Sequence, residues 1–324
     1  MTRQTLLITD IAGYWGEKLA QHIPRDEWRV VGIDTRAPDL PDTADTFIKG
    51  NLSDADLTGI LRREQVTAVC HLPRRPDVPA TAKLLAACAA TGVEQVVINS
   101  STQVYGASAT APAHLPETYP LPRTAADPTT KLLRDIELLA ASYRGALKVA
   151  ILRMAHIVGA TASGPLIALL SQRAPVMLMG FDPLTQVLHE GDAVGALAHA
   201  IATAADDTIN IAANPPLPFS RIVALAGKIH LPVPHPVAYL RWRVETTNHL
   251  RRRTLPLHPD FLRFRLVADV SKMEDDFGFF PARTATEAVQ SFAEHDYFRH
   301  LSPDQAARVK RVKQMQNAIA GDTE

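Results

Sequence analysis

Thr5-Leu6-Leu7-Ile8-Thr9 leads into Asp10-Ile11-Ala12-Gly13-Tyr14-Trp15-Gly16, and the chain continues as Glu17-Lys18-Leu19-Ala20. The short apolar run is typical of a strand buried on both faces, and the small residues after it favour a tight turn into a helix. Backbone N–H groups at such a helix start favour a pyrophosphate, so this stretch predicts a dinucleotide site. The contact residues predicted here are Asp10, Ala12, Gly13, Tyr14 and Trp15.

A second apolar run, 29–33, ends in Asp34, about 18 residues beyond Gly16. A carboxylate at this place accepts hydrogen bonds from both hydroxyls of an adenosine ribose and repels a 2′-phosphate. NAD is therefore the predicted cofactor and NADP the less favoured one. Arg36, two residues later, can soften that preference.

Asp10 stands where the dinucleotide fingerprint has its first glycine. An acid reaches positive φ less easily than glycine does, and its charge lies near the expected phosphates. The alternative interpretation is a buried strand, turn and helix with no ligand. Asp34 at its expected place favours the dinucleotide.

Strand-like runs alternate with helical stretches through the first half of the chain. The runs are 6–9, 29–33, 46–49, 68–72, 95–99 and 148–153. This alternation predicts an α/β fold with a doubly wound parallel sheet, the Rossmann fold, whose strand ends meet at one ligand-binding edge.

The pattern becomes irregular past Gly159, and this divides the chain. We expect a dinucleotide-binding domain over 1–160, to which 183–213 returns with one more strand. A smaller C-terminal substrate-binding cap is expected from 161–182 and 214–300. The remainder, 301–324, is typical of an amphipathic helical tail, either solvated or packed on the body or on a second subunit.

Composition excludes several classes of function. The 324 residues carry 34 basic and 34 acidic side chains, which gives no general bias toward nucleic acid or membrane lipid, and a small-molecule partner is expected. Cys70 and Cys88 lie in apolar runs typical of reduced core thiols, and the 12 histidines show no metal-binding spacing. With no signal peptide and no membrane-length apolar run, a cytoplasmic protein is expected.

After the fifth predicted strand stands Ser100-Ser101-Thr102-Gln103-Val104-Tyr105-Gly106. With the first turn and Asp34, this motif resembles the extended short-chain dehydrogenase/reductase family, the NAD-dependent sugar epimerases and dehydratases, most closely the UDP-glucose 4-epimerase-like members. Further pieces follow in the family's order: Asn51-Leu52-Ser53-Asp54, His71-Leu72-Pro73, Leu152-Arg153-Met154, 188–192 and 277–281. The resemblance implies cofactor contacts at Asn51, Leu52, Leu72, Pro73 and Met154.

The family's chemistry uses a Tyr-x-x-x-Lys pair on one face of a helix. The lysine lowers the pKa of the tyrosine and holds the nicotinamide ribose, while the tyrosine takes a proton from a substrate hydroxyl. The resemblance places the lysine at Lys131, and Asp127 stands four residues earlier. A carboxylate, with an ordinary pKa near 3.9 against about 10 for a phenol, is a far weaker base. Because Pro128 follows, we interpret Asp127 first as a helix cap and second as a catalytic replacement.

Other groups near the expected cleft are candidates. Ser101 matches the family's catalytic serine, and Tyr119 is a candidate substitute for the missing phenol. Tyr105 belongs to the family's structural turn, and His156 is either a titratable group near the nicotinamide or a core histidine.

Arginines cluster in the expected cap, where the family binds a nucleotide diphosphate. They are Arg241, Arg243, Arg251, Arg252, Arg253, Arg263 and Arg265. We expect one or two to contact a ligand. Relatives often dimerise through helices corresponding to 80–90 and 132–141; both are apolar enough for a homodimer, although core burial explains them equally well.

The leading hypothesis is an NAD-dependent oxidoreductase or epimerase-like enzyme that acts by hydride transfer on a hydroxyl-bearing substrate such as a nucleotide sugar. Two alternatives stay open. One is a catalytically silent NAD-binding sensor or scaffold, indicated by Asp127 and the altered glycine turn. The other is the same fold without a cofactor, with Asp10 blocking the pyrophosphate.

Overall fold

The computed structural model describes residues 3–124, 127–247 and 255–299. Its strands are β1 (Gln4–Thr9), β2 (Trp28–Asp34), β3 (Thr46–Lys49), β4 (Ala68–His71), β5 (Gln95–Ser101), β6 (Lys148–Met154), β7 (His156–Val158), β8 (Val176–Leu178), β9 (Leu184–Thr185), β10 (Val187–His189), β11 (Thr208–Ile211), β12 (Leu217–Pro218) and β13 (Leu231–Val233). Its α-helices are α1 (Tyr14–His22), α2 (Leu57–Arg63), α3 (Val78–Thr91), α4 (Pro128–Ala141), α5 (Pro165–Leu170), α6 (Glu190–Ala202), α7 (Phe219–Leu225), α8 (His235–Thr247), α9 (Ser271–Asp275) and α10 (Ala285–Arg299).

Seven strands form one parallel sheet in the order β3-β2-β1-β4-β5-β6-β11. The strand order reverses between β1 and β4, which creates a crevice at the carboxyl ends of these strands. The prediction of a doubly wound parallel sheet is confirmed. The last strand, β11, lies beside β6, so the chain returns to the sheet after leaving it.

Alternation of side chains explains why the sheet is covered on both faces. Leu6 and Ile8 of β1 pack in one core cluster, whereas Leu7 between them packs in the cluster on the other face, and all three are fully buried. Successive side chains of a strand point to opposite faces, so a continuous apolar run requires two apolar layers. Helices supply those layers: α1 and α6 pack together, and α2, α3 and α4 pack in turn.

Helix ends follow local sequence signals. The side chain of Asp77 caps α3 by accepting a hydrogen bond from Ala80 N, a proline follows within the first turn, and Gly92 ends the helix at φ 79°. A left-handed residue at this place favours glycine, which has no Cβ to clash. These signals fix where α3 begins, directly after the loop that leaves β4.

The smaller region has its own apolar core, formed by α5, α7, α10 and the strand pair β8–β13. Leu169, Ile222 and Val289 are fully buried there. The predicted helical tail, 301–324, lies outside the described residues, as do Arg251, Arg252 and Arg253.

Cys70 and Cys88 are both buried and unpaired, as expected for core thiols. Burial raises the pKa of both thiols, that of Cys88 to about 12. Within the three described ranges, no helix combines the length and apolarity that a membrane crossing needs. The same ranges contain no group of three or more His, Cys, Asp or Glu side chains arranged to hold a metal ion.

Candidate functional site

The turn after β1 has a tight backbone conformation. Asp10 has φ 52°, in the left-handed region that favours glycine, and its carbonyl accepts a hydrogen bond from Gly13 N at 2.8 Å. A Cβ at Gly16 would lie 2.4 Å from the Cα of Ile11. The turn therefore requires glycine at position 16, while position 10 carries an aspartate in a conformation that aspartate adopts more readily than most residues.

Asp34 lies at the end of β2, against this turn. Its carboxylate accepts hydrogen bonds from Ala12 N at 3.0 Å and from Arg36 N at 3.1 Å. The side chain is only 1% exposed. Backbone donors thus fix the carboxylate at the place where the sequence predicted a ribose contact.

Arg74, which the sequence analysis did not single out, covers Asp34. Its Nη2 lies 2.5 Å from Asp34 Oδ2, and its Nη1 lies 3.7 Å from Asp10 Oδ1. Burial raises the pKa of the Asp10 carboxyl, and the charge of Arg74 opposes that rise. One arginine therefore pairs with two carboxylates, one in the turn and one at the end of β2.

Two cavities open at the carboxyl edge of the sheet. The β2 cavity, of about 310 Å³, lies beside the end of β2 and is lined by Asp10, Asp34, Asn51, Leu52 and Pro73 among others. The α4 cavity, of about 340 Å³, lies beside the start of α4; of the predicted residues it is lined by Trp15, Pro73, Ser101 and Met154. Pro73 and Arg74 line both cavities, so Arg74 stands at their junction.

Five further residues predicted to contact the cofactor line neither cavity: Ala12, Gly13, Tyr14, Arg36 and Leu72. Ala12 N contacts Asp34, and Ala12 O accepts a hydrogen bond from Arg36 Nη2 at 2.6 Å. Gly13 precedes the first residue of α1, and Tyr14 packs its ring under the ammonium of Lys18. Leu72 is buried in the core, and its backbone N donates a hydrogen bond to Thr9 Oγ1 at 3.0 Å.

Asp127 caps α4. Its Oδ2 accepts hydrogen bonds from Thr130 N at 3.0 Å and from Thr130 Oγ1 at 3.3 Å. The helix begins at Pro128, as a proline after a capping residue predicts. Asp127 lines a separate pocket with Tyr105 and His258 rather than the α4 cavity.

The face of α4 that lines the α4 cavity carries Thr129 and Leu133, four residues apart. Lys131 is two residues from Thr129, about 200° around the helix, and its side chain is exposed. In the described part of the chain, Lys131 lines neither cavity. The structure therefore does not bring Lys131 and Ser101 to one cavity, because the helix presents a different face.

Ser101, at the end of β5, lines the α4 cavity, and its Oγ accepts a hydrogen bond from Gln103 N at 3.2 Å. Tyr119 packs beside Tyr105, with ring centroids 6.3 Å apart, and lines none of the cavities described above. Tyr105 is buried, and its hydroxyl donates a hydrogen bond to Asn210 Oδ1 at 2.7 Å. Of these hydroxyls, only that of Ser101 is placed to contact a molecule in the α4 cavity.

Two further polar residues line the α4 cavity. Burial lowers the pKa of His156 to about 4, so its imidazole is neutral near pH 7. Asn99 Oδ1 is buried and lacks a hydrogen-bond partner among the described residues. Buried amide oxygens are normally paired, so Asn99 offers an acceptor to a ligand.

Two of the described arginines of the predicted cap contact protein groups. Arg241 pairs with Glu245 at 3.0 Å. The guanidinium of Arg263 lies 5.0 Å from the ring centroid of Phe181. Neither lines the two cavities.

A sequence model described as "NAD dependent epimerase/dehydratase family" matches residues 6–212. Uncharacterized protein Rv0501 of Mycobacterium tuberculosis is 27% identical over 313 residues, covering 89% of this chain and 81% of that protein. Uncharacterized protein Rv2047c of the same organism is 28% identical over 296 residues, covering 89% of this chain and 29% of that protein.

Solved structures share the architecture. UDP-glucuronic acid 4-epimerase from Bacillus cereus, crystallised with UDP-glucuronic acid and NAD, superposes with a TM-score of 0.69 at 17% identity, covering 92% of this chain and 100% of that one. UDP-glucose 4-epimerase from Thermus thermophilus, in complex with NAD, gives 0.69 at 18% identity, covering 91% and 99%. These likenesses show that the chain shares its fold with those proteins over 91–92% of its length.

Proposed function

The chain belongs to the NAD-dependent epimerase/dehydratase family, and from this premise we propose that it binds NAD(H) along the carboxyl edge of its sheet. One observation carries the proposal: the Asp34 carboxylate is fixed by Ala12 N directly beside the tight turn into α1. A carboxylate and a helix start in this arrangement match the two ends of an ADP moiety, its ribose hydroxyls and its phosphates.

In this proposal the β2 cavity takes the adenosine, and Asn51 and Leu52 border the base. Asp34 accepts the ribose hydroxyls and disfavours the 2′-phosphate of NADP. The α4 cavity takes the nicotinamide, with Trp15 and Met154 as apolar walls. A bound NAD supplies a hydride acceptor; the chain's own residues orient it and shield it from water.

The substrate class we propose is a hydroxyl-bearing compound such as a nucleotide sugar. Support comes from the family and from the B. cereus protein, which shares the fold and was crystallised with UDP-glucuronic acid. Ser101 and Asn99 offer a hydroxyl and an amide oxygen to the sugar.

We further propose that the protein binds its ligands without the family's usual proton transfer, as an NAD(H) sensor or scaffold. The support is the α4 face at the cavity, which carries Thr129 and Leu133 where the chemistry needs a phenol and an ammonium. A threonine hydroxyl is a poor base at neutral pH, and leucine has no charge with which to lower a pKa.

A second candidate is hydride transfer by a different set of groups, with Ser101 orienting the substrate hydroxyl and His156 receiving its proton. It is favoured by the position of both residues at the α4 cavity. The low pKa of His156, about 4, makes the imidazole a weak base, so slow turnover is expected in this case.

Mass spectrometry of small molecules released on denaturation, followed by titration of the protein with NADH and NADPH, tests the cofactor. We expect NADH to bind more tightly than NADPH. An empty protein that binds neither would favour the third hypothesis, in which Asp10 excludes the pyrophosphate.

Absorbance at 340 nm separates the two candidates once NAD binding is established. The NAD-loaded protein is incubated with UDP-glucose and UDP-glucuronic acid, and the products are separated by chromatography. Binding without reduction or epimerisation supports the sensor or scaffold. Turnover of either sugar supports the enzyme.

A homodimer remains part of the proposal. Leu132 and Leu138 of α4 are exposed, Leu138 to 60% of its surface, on a helix that packs beside α3. Sedimentation velocity of the wild type and of Leu138→Glu tests this interface, and a dimer that persists in the variant would exclude Leu138 from it.

A further inference from the structure

Arg74 occupies the junction between the β2 and α4 cavities and lines both. It lies over the turn, since a Cβ on Gly13 would come 3.3 Å from its Nε. In a dinucleotide that spans the two cavities, the pyrophosphate is the part between the adenosine and the nicotinamide. Arg74 is therefore a cation at the place expected for the phosphates.

The guanidinium of Arg74 is one positive charge between two carboxylates, those of Asp10 and Asp34. Asp10 brings a carboxylate to the turn, and alone it would repel a pyrophosphate. Arg74 N also donates to Asp10 Oδ2 at 3.3 Å, so the backbone of Arg74 as well as its guanidinium meets this carboxylate. The positive charge offsets the negative one at the turn.

Asp34 is tied to the same arginine. Arg74 Nη2 donates to Asp34 Oδ2, the oxygen that also accepts from Ala12 N. A ribose that uses this carboxylate must compete with Arg74 for it. Asp34 keeps its bonds to Ala12 N and Arg36 N when Arg74 leaves, so the carboxylate stays in place.

We propose that Arg74 exchanges partners when a dinucleotide binds, leaving Asp34 to the ribose hydroxyls and turning to the pyrophosphate while it remains beside Asp10. This inference rests on the proposed binding of NAD(H). The side chain of Arg74 is 44% exposed, so solvent reaches it, and a guanidinium has donors enough for Asp10 and a phosphate together.

The exchange makes opposite predictions for two ligands. Adenosine has a ribose but no phosphate, so it displaces Arg74 from Asp34 with no compensating contact. ADP-ribose carries the pyrophosphate, so Arg74 gains a phosphate contact in place of the ion pair that it loses with Asp34. Arg74 therefore weakens binding of adenosine and strengthens binding of ADP-ribose.

Isothermal titration of the full chain with adenosine and with ADP-ribose tests this in the wild type, Arg74→Ala and Arg62→Ala. Arg62 is an exposed arginine on α2, away from both cavities, and its loss controls for the general effect of one positive charge. In Arg74→Ala we expect tighter adenosine and weaker ADP-ribose, so that the ratio of the two Kd values changes by about tenfold or more. In Arg62→Ala we expect no change in the ratio.

An unchanged ratio in Arg74→Ala, or an equal change in Arg62→Ala, overturns the exchange. Arg74→Lys, which keeps the charge without the fork, checks that any loss is not a folding defect, and we expect it to recover part of the ADP-ribose affinity. Titration of the wild type with NADH separates the two proposals. If the wild type binds no NADH, both are wrong; if it binds NADH and the ratio does not respond to Arg74, only the exchange is wrong.

Discussion

Glu137 of α4 and Arg153 of β6 form a buried ion pair in which Arg153 Nε and Nη2 lie 2.9 and 2.7 Å from Glu137 Oε2. Ser100 Oγ donates to the other carboxylate oxygen, Oε1, at 2.5 Å. The pair joins α4 to the sheet, and together with the buried Ile136 and Ala140 of the same helix it holds α4 in one rotation. That rotation places Thr129 and Leu133 at the α4 cavity.

Breaking this pair is expected to be costly. Glu137→Ala leaves the Arg153 guanidinium buried without its carboxylate, and we expect a loss of about 3–5 kcal/mol in the free energy of unfolding. Urea denaturation followed by circular dichroism measures it. Asp135→Ala on the same helix breaks the partly exposed contact with Arg134 and should cost less than about 1 kcal/mol. Similar losses in both variants would contradict a special role for Glu137.

Local sequence predicts those parts of the site that are built from residues close together in the chain. The turn, the strand end at Asp34 and the cap at Asp127 each depend on a few consecutive residues. Backbone preferences and strand alternation decide such features, so the sheet and the turn at its carboxyl edge were predictable.

The face of α4 and the position of Arg74 were not predictable in this way. Lys131 was placed by resemblance to the lysine of the family's Tyr-x-x-x-Lys motif. The face that α4 turns to the cavity, however, depends on contacts between distant segments, among them Glu137 with Arg153. Asp10 follows β1 and Arg74 follows β4, so their ion pair is also a contact between distant segments. A signal existed in each case, since Asp10 in place of a glycine needs a cation nearby, and a buried arginine in β6 needs an acid.

Replacing Asp34 tests the ribose assignment. In Asp34→Ala we expect NADH to bind about tenfold more weakly, because the ribose hydroxyls lose their acceptor. Discrimination against NADPH should relax, since the repelling charge is gone. Fluorescence titration with both nucleotides measures the two effects. Asp26→Ala, which removes an exposed carboxylate that lines neither cavity, is the control; unchanged affinities in Asp34→Ala would exclude the assignment.

His71 is expected to make stability depend on pH. Its Nε2 donates to Thr81 Oγ1, whose own proton goes to Asp77 O, and its Nδ1 accepts from Thr9 Oγ1, so the buried ring is a neutral tautomer with both nitrogens used. Burial lowers the pKa of His71 to about 4, against 6.5 in the unfolded chain, while the charge of Asp77 opposes this shift.

Between these pH values the unfolded state binds the extra proton, so stability falls as pH falls from about 6.5 to 4. The expected slope from this residue is up to about 1.4 kcal/mol per pH unit. In His71→Gln we expect a lower free energy of unfolding at neutral pH. We also expect its decline toward pH 4 to be shallower, by up to about 1.4 kcal/mol per pH unit, because the variant lacks the titrating imidazole. Parallel declines in the two proteins would show that His71 does not contribute.

Thr129 and Leu133 line the α4 cavity together with Ile136 of the same helix. Thr129→Tyr with Leu133→Lys builds a phenol and an ammonium four residues apart on that face, which is the arrangement that lowers the pKa of the tyrosine. Given NAD binding, we expect the double variant to gain hydride transfer with a nucleotide sugar, by about 10²-fold over the wild type. Absorbance at 340 nm and chromatography of the sugar measure it.

Asp127→Tyr is the matched control, because it restores the Tyr-x-x-x-Lys pattern with Lys131 in sequence but on a different side of the helix. We expect no gain in hydride transfer and a loss of about 1 kcal/mol in stability, since Thr130 N loses its cap. A gain in Asp127→Tyr alone would mean that the helix rotates to bring Lys131 to the nicotinamide, and the assignment of Thr129 and Leu133 would be wrong. A gain only in the double variant means that binding is retained while the proton-transfer pair is missing, as expected for a sensor or scaffold.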